Sequence, residues 1–250
     1  MKRASLALVL LLAAAPAAAA EADSLTAGER ILRRVDANIG SDRKVSVATM
    51  TIHGRRGNRT VRSRSWIEGM ARSFTEYLDP PRERGVKMLK LGDQLWTYSP
   101  ATDRTIRISG HLLRQSVMGS DLSYEDLMED PVLHNLYTAA VAGEDSLGGR
   151  ACWVLELGAR REGLAYHRRR VWVDRERDVL LREDRFARSG RLLKTTEVLA
   201  VERIADRWVP VRVVFRDVLG GGEGTEFAIE SIAFDAEIPE HLFSKAALRR

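Results

Sequence analysis

Cysteine is nearly absent from this 250-residue chain. Cys152 stands alone, so no intramolecular disulfide can form and the fold must rest on packing. Aromatic residues make up only 6% of the sequence. All five tryptophans, Trp66, Trp96, Trp153, Trp172 and Trp208, nevertheless fall in stretches that read as strands. No G-x-S-x-G, H-E-x-x-H, P-loop or C-x-x-C motif occurs, so the commonest hydrolase, metalloprotease, nucleotide and thiol-redox signatures are missing. The histidines, His53, His111, His134, His167 and His241, never stand at i,i+2 or i,i+4. They offer no metal-ligand spacing and read as surface or turn residues. One candidate nucleophile remains, Ser120 in Gly119-Ser120-Asp121, with His111 or His134 as a conceivable base. The competing reading is that Ser120, Asp121 and Ser123 make turn and cap hydrogen bonds, as short polar side chains do. The expectation is a protein that is not an enzyme and carries no cofactor or metal.

Long apolar runs are also missing, with one exception at the start. Lys2 and Arg3 precede an apolar run over residues 6–15, and Pro16 leads into Ala18-Ala19-Ala20 before Glu21. That is the pattern of a secretory signal peptide over residues 1–20, too short to serve as a membrane span of about 20 apolar residues. No cysteine follows the cleavage site, which closes the lipoprotein route. A periplasmic protein of residues 21–250, forming a single domain, is expected. Without Lys2 and Arg3 the formal charge falls from +5 to +3. That excess is mild, and export argues against nucleic acid as a partner.

Hydrophobic periodicity begins at 3.6 and then changes to two. Ile31, Leu32, Val35 and Ile39 recur at helical spacing within residues 26–39, and Gly40 supplies a stop. Strands follow at 44–51, 60–67 and 72–78, the last ended by Asp79-Pro80-Pro81. The sharpest hairpin runs 86–91, Gly92-Asp93, 94–99. Its two-residue loop pairs Leu89 with Trp96 and Lys87 with Tyr98, so Leu89, Leu91, Trp96 and Tyr98 share one face. Residues 105–108 continue the meander. Residues 110–130 break the rhythm, with Leu112, Leu113, Val117 and Met118 in a short amphipathic piece. Ser123 and Asp126 then resemble a capping box. Strands return at 136–142, 150–158, 167–174, 179–186, 192–202, 207–216 and 225–234, and residues 238–243 read as a closing helical turn. About a dozen strands with regular turns indicate a large antiparallel sheet, a barrel or a half-barrel. Such a curved sheet has more concave surface than one short helix can fill. Trp66, Leu89, Trp96, Tyr98 and Trp153 are the candidates to line the resulting cavity, with ordinary core packing as the alternative for each. Two arginine-rich groups, around residues 55–64 and 160–170, read either as a solvated sheet face or as a basic rim for anionic headgroups.

Several segments resemble the bacterial outer-membrane lipoprotein-sorting family, the exported LolA-like proteins. They are Trp96-Thr97-Tyr98-Ser99-Pro100, Arg107-Ile108, and above all Met118-Gly119-Ser120-Asp121-Leu122-Ser123-Tyr124-Glu125-Asp126-Leu127. Arg84-Gly85, Gly149-Arg150-Ala151-Cys152-Trp153 and Ile238-Pro239 with Phe243 add to the resemblance, which spans most of the chain after the signal. Ser99 departs from it, because the family more often has a larger residue before the proline. The resemblance implies an incomplete β-barrel with an N-terminal helix, a short helical lid, and a hydrophobic cavity for acyl chains. The lid would include Leu112, Leu113, Met118, Gly119, Ser120, Asp121, Leu122 and Tyr124. It further implies an acylated lipoprotein or lipid as cargo, and an inner-membrane transporter of the resistance–nodulation–division or lipoprotein-releasing type as partner. Three functions are therefore weighed: a periplasmic carrier, a non-catalytic adaptor of an envelope transporter, and an envelope-lipid enzyme using Ser120.

Overall fold

The computed structural model describes residues 25–40, 43–54 and 57–249, and the expected signal peptide lies outside the described residues. The alternating segments all become strands, as two antiparallel meanders. The first comprises β1 (Arg43–Ile52), β2 (Arg59–Glu68), β3 (Arg72–Asp79), β4 (Lys87–Leu91), β5 (Gln94–Ser99) and β6 (Arg104–Ile108). The second comprises β7 (Tyr137–Leu147), β8 (Arg150–Ala159), β9 (Arg168–Asp174), β10 (Leu180–Phe186), β11 (Leu192–Ile204), β12 (Arg207–Asp217) and β13 (Thr225–Phe234). Pairing of β1 with β13 joins the meanders into one curved, unclosed sheet of thirteen strands, whose edges are β6 and β7. The hairpin register is the expected one: Leu89 faces Trp96 and Lys87 faces Tyr98.

Both edges are blunted. Strand β6 is only five residues long and exposes Arg104 and Arg107. Strand β7 carries Glu144 and Asp145 and breaks register between Val141 and Gly143. Short, charged or bulged edges resist pairing with another chain.

Helix α1 (Ala27–Ile39) begins with a capping box between Thr26 and Glu29, and the Gly40 N–H closes it on Asp36 O at 2.9 Å. Its apolar stripe, Ile31, Leu32 and Val35, buries against Leu155, Leu157, Val171 and Val173 of the second meander. The helix lies so close to β7 that a Cβ on Gly28 would stand 2.6 Å from Ala139 O. The Thr26 hydroxyl donates to that same carbonyl at 2.8 Å.

The first meander is covered on its outer face by the C-terminal tail. Two 3₁₀ turns, Glu240–Phe243 and Lys245–Arg249, place Phe243, Ala247 and Leu248 on Phe74, Leu89 and Trp96. The closing turn expected near residue 243 is thus present and continues further.

Gly28→Ala tests the close approach of α1. Alanine normally gains about 1 kcal/mol over glycine inside a helix. Here the sign should reverse, with a loss of about 1–3 kcal/mol from overpacking, read as a lowered urea midpoint.

Candidate functional site

The hollow of the sheet is filled unequally. Helix α1 packs the side of β7–β9. On the first meander the hollow-facing side chains include a group of small hydroxyl residues, Ser63 and Ser65 on β2, Ser73 and Thr75 on β3, and Ser46 on β1, beside larger ones such as Met50, Ile67, Tyr77 and Met88. Ser46 pairs with Ser65, and Ser65 with Thr75, forming one cross-strand row whose Ser65 and Thr75 hydroxyls lie 2.9 Å apart. The adjoining wall is apolar along its length, built from Phe227, Ile229, Ile232 and Phe234 of β13, which pairs with β1, and Trp208 of β12. Between them lies a cavity of about 480 Å³, within the range of about 300–1,000 Å³ typical of small-molecule sites.

The segment expected to be a lid, termed the lid, connects β6 to β7. It consists of 3₁₀ turns at Gly110–Arg114 and Val117–Gly119, then α2 (Tyr124–Met128) and α3 (Leu133–Leu136). This is the segment in which the strand rhythm fails. Leu112, Leu113, Val117, Met118 and Tyr124 pack on Met50, Val61, Tyr77 and Met88 of the first meander. Leu122, Leu127 and Val117 form part of the cavity wall. Met118 and Gly119 both have positive φ, 53° and 74°, a conformation glycine adopts freely and methionine does not.

Polar contacts fasten the far side of the lid. Asp121 Oδ1 accepts from the Asp217 N–H at 2.9 Å, Oδ2 accepts from the Thr225 hydroxyl at 2.6 Å, and the Asp121 carbonyl accepts from Lys194 Nζ at 2.9 Å. Ser123 caps α2 in the expected box with Asp126. Asp126 also accepts from Tyr166 Oη at 2.5 Å, from Lys194 Nζ at 2.5 Å and from Arg185 at 3.2 Å. Beyond it, Arg169 is held by Glu183 at 2.6 Å and by Glu129 of the lid. Arg185 reaches Glu183 at 2.8 Å. The guanidinium of Arg169 stands 4.6 Å from the Tyr137 ring centre and 5.3 Å from that of Tyr166. Burial alone would raise the Asp126 carboxyl, but Lys194 and Arg185 beside it hold it at about 2, down from 3.8. Burial likewise opposes ionisation of Glu183, and Arg185 and Arg169 bring it from 4.5 to about 2.

The sequence-derived candidates fall in different places. Leu112, Leu113, Met118, Gly119, Ser120, Asp121, Leu122 and Tyr124 all lie in the lid. Trp66, Leu89, Trp96 and Tyr98 do share a face, but it is the outer one. They pack beneath the C-terminal tail, with Lys245 Nζ 4.4 Å from the Trp96 ring, and are not part of the cavity wall. Trp153 packs at the margin of the cluster under α1, with Arg175 3.8 Å from its ring centre. The cause is parity: in β4 and β5 the inward positions are Met88, Lys90 and Leu95. Ser120 is buried and its hydroxyl is engaged by the N–H of Leu122 at 3.2 Å, as a turn residue would be. His134 is not simply a surface residue, because its Nδ1 lies 2.7 Å from the buried Asp36. Of the arginine clusters, Arg59, Arg62, Arg160, Arg168 and Arg170 meet carboxylates, and Arg169 is an interior anchor. No group of metal-ligating side chains occurs among the described residues. Among the described residues no helix is long and apolar enough to cross a membrane.

Three solved structures share this architecture. A putative outer membrane lipoprotein-sorting protein domain from Vibrio parahaemolyticus is 23% identical, with a TM-score of 0.78 over 89% of this chain and 98% of that one. A DUF1329 family protein from Desulfovibrio piger is 25% identical, with a TM-score of 0.81 over 89% and 98%. A LolA superfamily protein from Nitrosomonas europaea is 22% identical, with a TM-score of 0.72 over 89% and 99%. The fold is LolA-like. A search of curated proteins found no match. The model of a family described as "-like: Uncharacterized protein" matches residues 69–250. The chain belongs to that family.

Acid should weaken the attachment of the lid to the second meander. Asp126 and Glu183 have folded-state pKa values below 3.8 and 4.5, so their stabilisation is complete above those values. It is lost as pH falls through about 2. Asp126 alone contributes roughly 2 kcal/mol of this acid-sensitive stability. Asp126→Asn leaves Lys194 without its carboxylate and Arg185 with Glu183 alone, and should cost about 3 kcal/mol at pH 7. It should also flatten the acid limb of a urea-midpoint series between pH 5 and pH 2.

Proposed function

We propose that this protein is a periplasmic carrier that shelters an acyl chain of a lipoprotein or lipid on its way towards the outer membrane. The observation that carries this reading is the cavity of about 480 Å³ with one apolar wall, closed by a pinned lid. Export follows from the signal-like residues 1–20. The LolA-like fold and the printed descriptions of its structural neighbours support the same direction.

Energetics shape the mechanism. Taking an acyl chain out of water is worth about 0.8 kcal/mol per CH₂, roughly 12 kcal/mol for sixteen carbons. Moving the chain from bilayer to cavity exchanges one apolar medium for another, and the net gain is small. The carrier therefore shields cargo in water but needs a partner that uses energy to load it. An inner-membrane transporter of the resistance–nodulation–division or lipoprotein-releasing type fits that need. No catalytic step is assigned to Ser120, whose hydroxyl serves the lid's own turn.

Native mass spectrometry of protein purified from the periplasm without detergent tests the proposal. A stoichiometric acyl-bearing ligand is the expected result. Ser65→Leu combined with Thr75→Leu should fill the cavity floor, abolish that ligand and leave the fold intact by circular dichroism. A wild-type protein that stays ligand-free after exposure to lipid vesicles and lipopeptide overturns the carrier and leaves the adaptor reading.

A further inference from the structure

A second hollow borders the lid, an open groove of about 490 Å³. Leu122 and Leu127 of the lid line the cavity, whereas Glu125, Met128 and Glu129 line the groove. Its floor is apolar at Leu113, Met128 and Leu136, and Leu164 of the β8–β9 loop continues it. Met70, in the β2–β3 turn, stands on its margin with 44% of its surface exposed. Three parts of the molecule meet there: the turns of the first meander, the lid, and the β8–β9 loop. An apolar strip open to water and rimmed by polar residues is the usual mark of an interaction surface.

The groove is acidic, although the chain carries a formal charge of +5. Asp93, Glu125, Glu129 and Asp130 line it, against Lys90 and Arg161. Lys90 is buried and donates to the Met128 carbonyl at 3.2 Å. Asp130 accepts from two neutral donors, the Val132 N–H and Asn135. Asp93 and Glu125 form no ion pair among the described residues. Glu129 differs from both. Its carboxylate lines the groove, yet it also holds Arg169 and accepts from Tyr137 Oη at 3.2 Å. It therefore joins the groove to the ion cluster that fastens the lid.

We infer that this groove receives a basic amphipathic segment of a partner protein. The segment's apolar side chains lie on Leu113, Met128 and Leu136, and its cations meet Asp93, Glu125 and Glu129. Amphipathic helices are recognised in apolar grooves in this way, with complementary charge fixing the partner and its orientation. A cation that reaches Glu129 competes with Arg169 for it. Arg169 keeps Glu183 at 2.6 Å, so its own charge stays paired while the lid loses a tie to β9. Docking in the groove and loosening of the lid are thereby coupled. The inference concerns the outside of the lid and does not depend on what the cavity holds.

Two synthetic peptides test this, each about 14 residues or four helical turns long. One is built of leucine and lysine and the other of leucine and glutamate, both spaced as amphipathic helices. The leucine–lysine peptide should bind the protein at least roughly ten-fold more tightly than the other, and added salt should weaken it. Glu125→Gln combined with Asp93→Asn should weaken that binding about ten-fold, and Arg161→Glu should strengthen it. These residues lie outside the ion cluster, so hydrogen exchange of the free lid should match wild type in both variants. Saturating leucine–lysine peptide should speed exchange across residues 117–129. Glu129→Gln should exchange faster there without peptide and gain little more with it. The cavity-filling pair Ser65→Leu and Thr75→Leu should bind the peptide as wild type does, which separates the groove from the cavity. Equal binding of the two peptides, or binding unmoved by the changes at Asp93, Glu125 and Arg161, overturns the docking groove. Binding that follows those changes but leaves lid exchange unaltered overturns the coupling through Glu129.

Discussion

The structure depends on a small neutral set of buried charges where the lid meets the second meander. Arg169, Arg185 and Lys194 face Asp126, Glu129 and Glu183. On its other side the lid holds to the first meander mainly by apolar contact, through residues such as Leu113, Val117 and Tyr124, with one hydrogen bond from Lys90 Nζ to the Met128 carbonyl at 3.2 Å. Apolar contacts tolerate sliding, whereas ion pairs with fixed hydrogen-bond directions do not. A network of this kind gives little net stability relative to a hydrophobic replacement, because both ions are desolvated. Its effect is to permit one position of the lid, and with it one shape of the cavity beneath.

That cavity arises from side-chain size. Helix α1 fills the hollow of one meander with Ile31, Leu32 and Val35, while the hollow of the other includes the small hydroxyl side chains Ser46, Ser63, Ser65, Ser73 and Thr75. Leucines at Ser63, Ser65 and Thr75 would close the space by ordinary packing. A hydroxyl-lined hollow can hold water without penalty, so the empty state is tolerable. On the carrier reading, an acyl chain that displaces this water would gain apolar contact with the β13 wall. The outer face of the same strands is sealed by Phe243 and Leu248, which leaves the interior as the place where the first meander can accept a guest.

Local chemistry was legible in the sequence and global sidedness was not. Period-two alternation marked the strands, Gly92-Asp93 set a hairpin register that the backbone reproduces, and Ser123 with Asp126 announced the cap of α2. Parity along a strand says which residues share a face, but not whether that face looks in or out. Trp66, Leu89, Trp96 and Tyr98 were grouped correctly and assigned inward because nothing local reveals that residues 240–249 return to cover them. Arg169 illustrates the same gap. It sits in His167-Arg168-Arg169-Arg170, where its neighbours pair with Glu156 while it alone turns to the interior. The usable signal was its parity with Val171 and Val173, two residues of the core under α1. Small residues facing the hollow, such as Ser63 and Ser65, were a second signal. They alternate with Arg62 and Arg64, and a strand that is polar on both faces does not look like the floor of an apolar cavity.

The lid network also limits how cargo could be discharged on the carrier reading. Asp126 and Glu183 stay ionised down to about pH 2, and the cations that face them are arginines and a lysine. Neither carboxylate changes charge near neutrality, so ordinary variation of pH leaves both ionised within the cluster. Bulk salt screens exposed charges far more than buried ones, which removes ionic strength as a trigger as well. Opening must therefore come from a competitor that engages the lid's apolar underside or replaces one partner of the ion cluster. A docking protein meets that requirement, because contact energy gained at its own interface can offset separation of the lid from β9–β11. On the carrier reading, loading and release both fall to partners, and the sheet is the passive shelter between them.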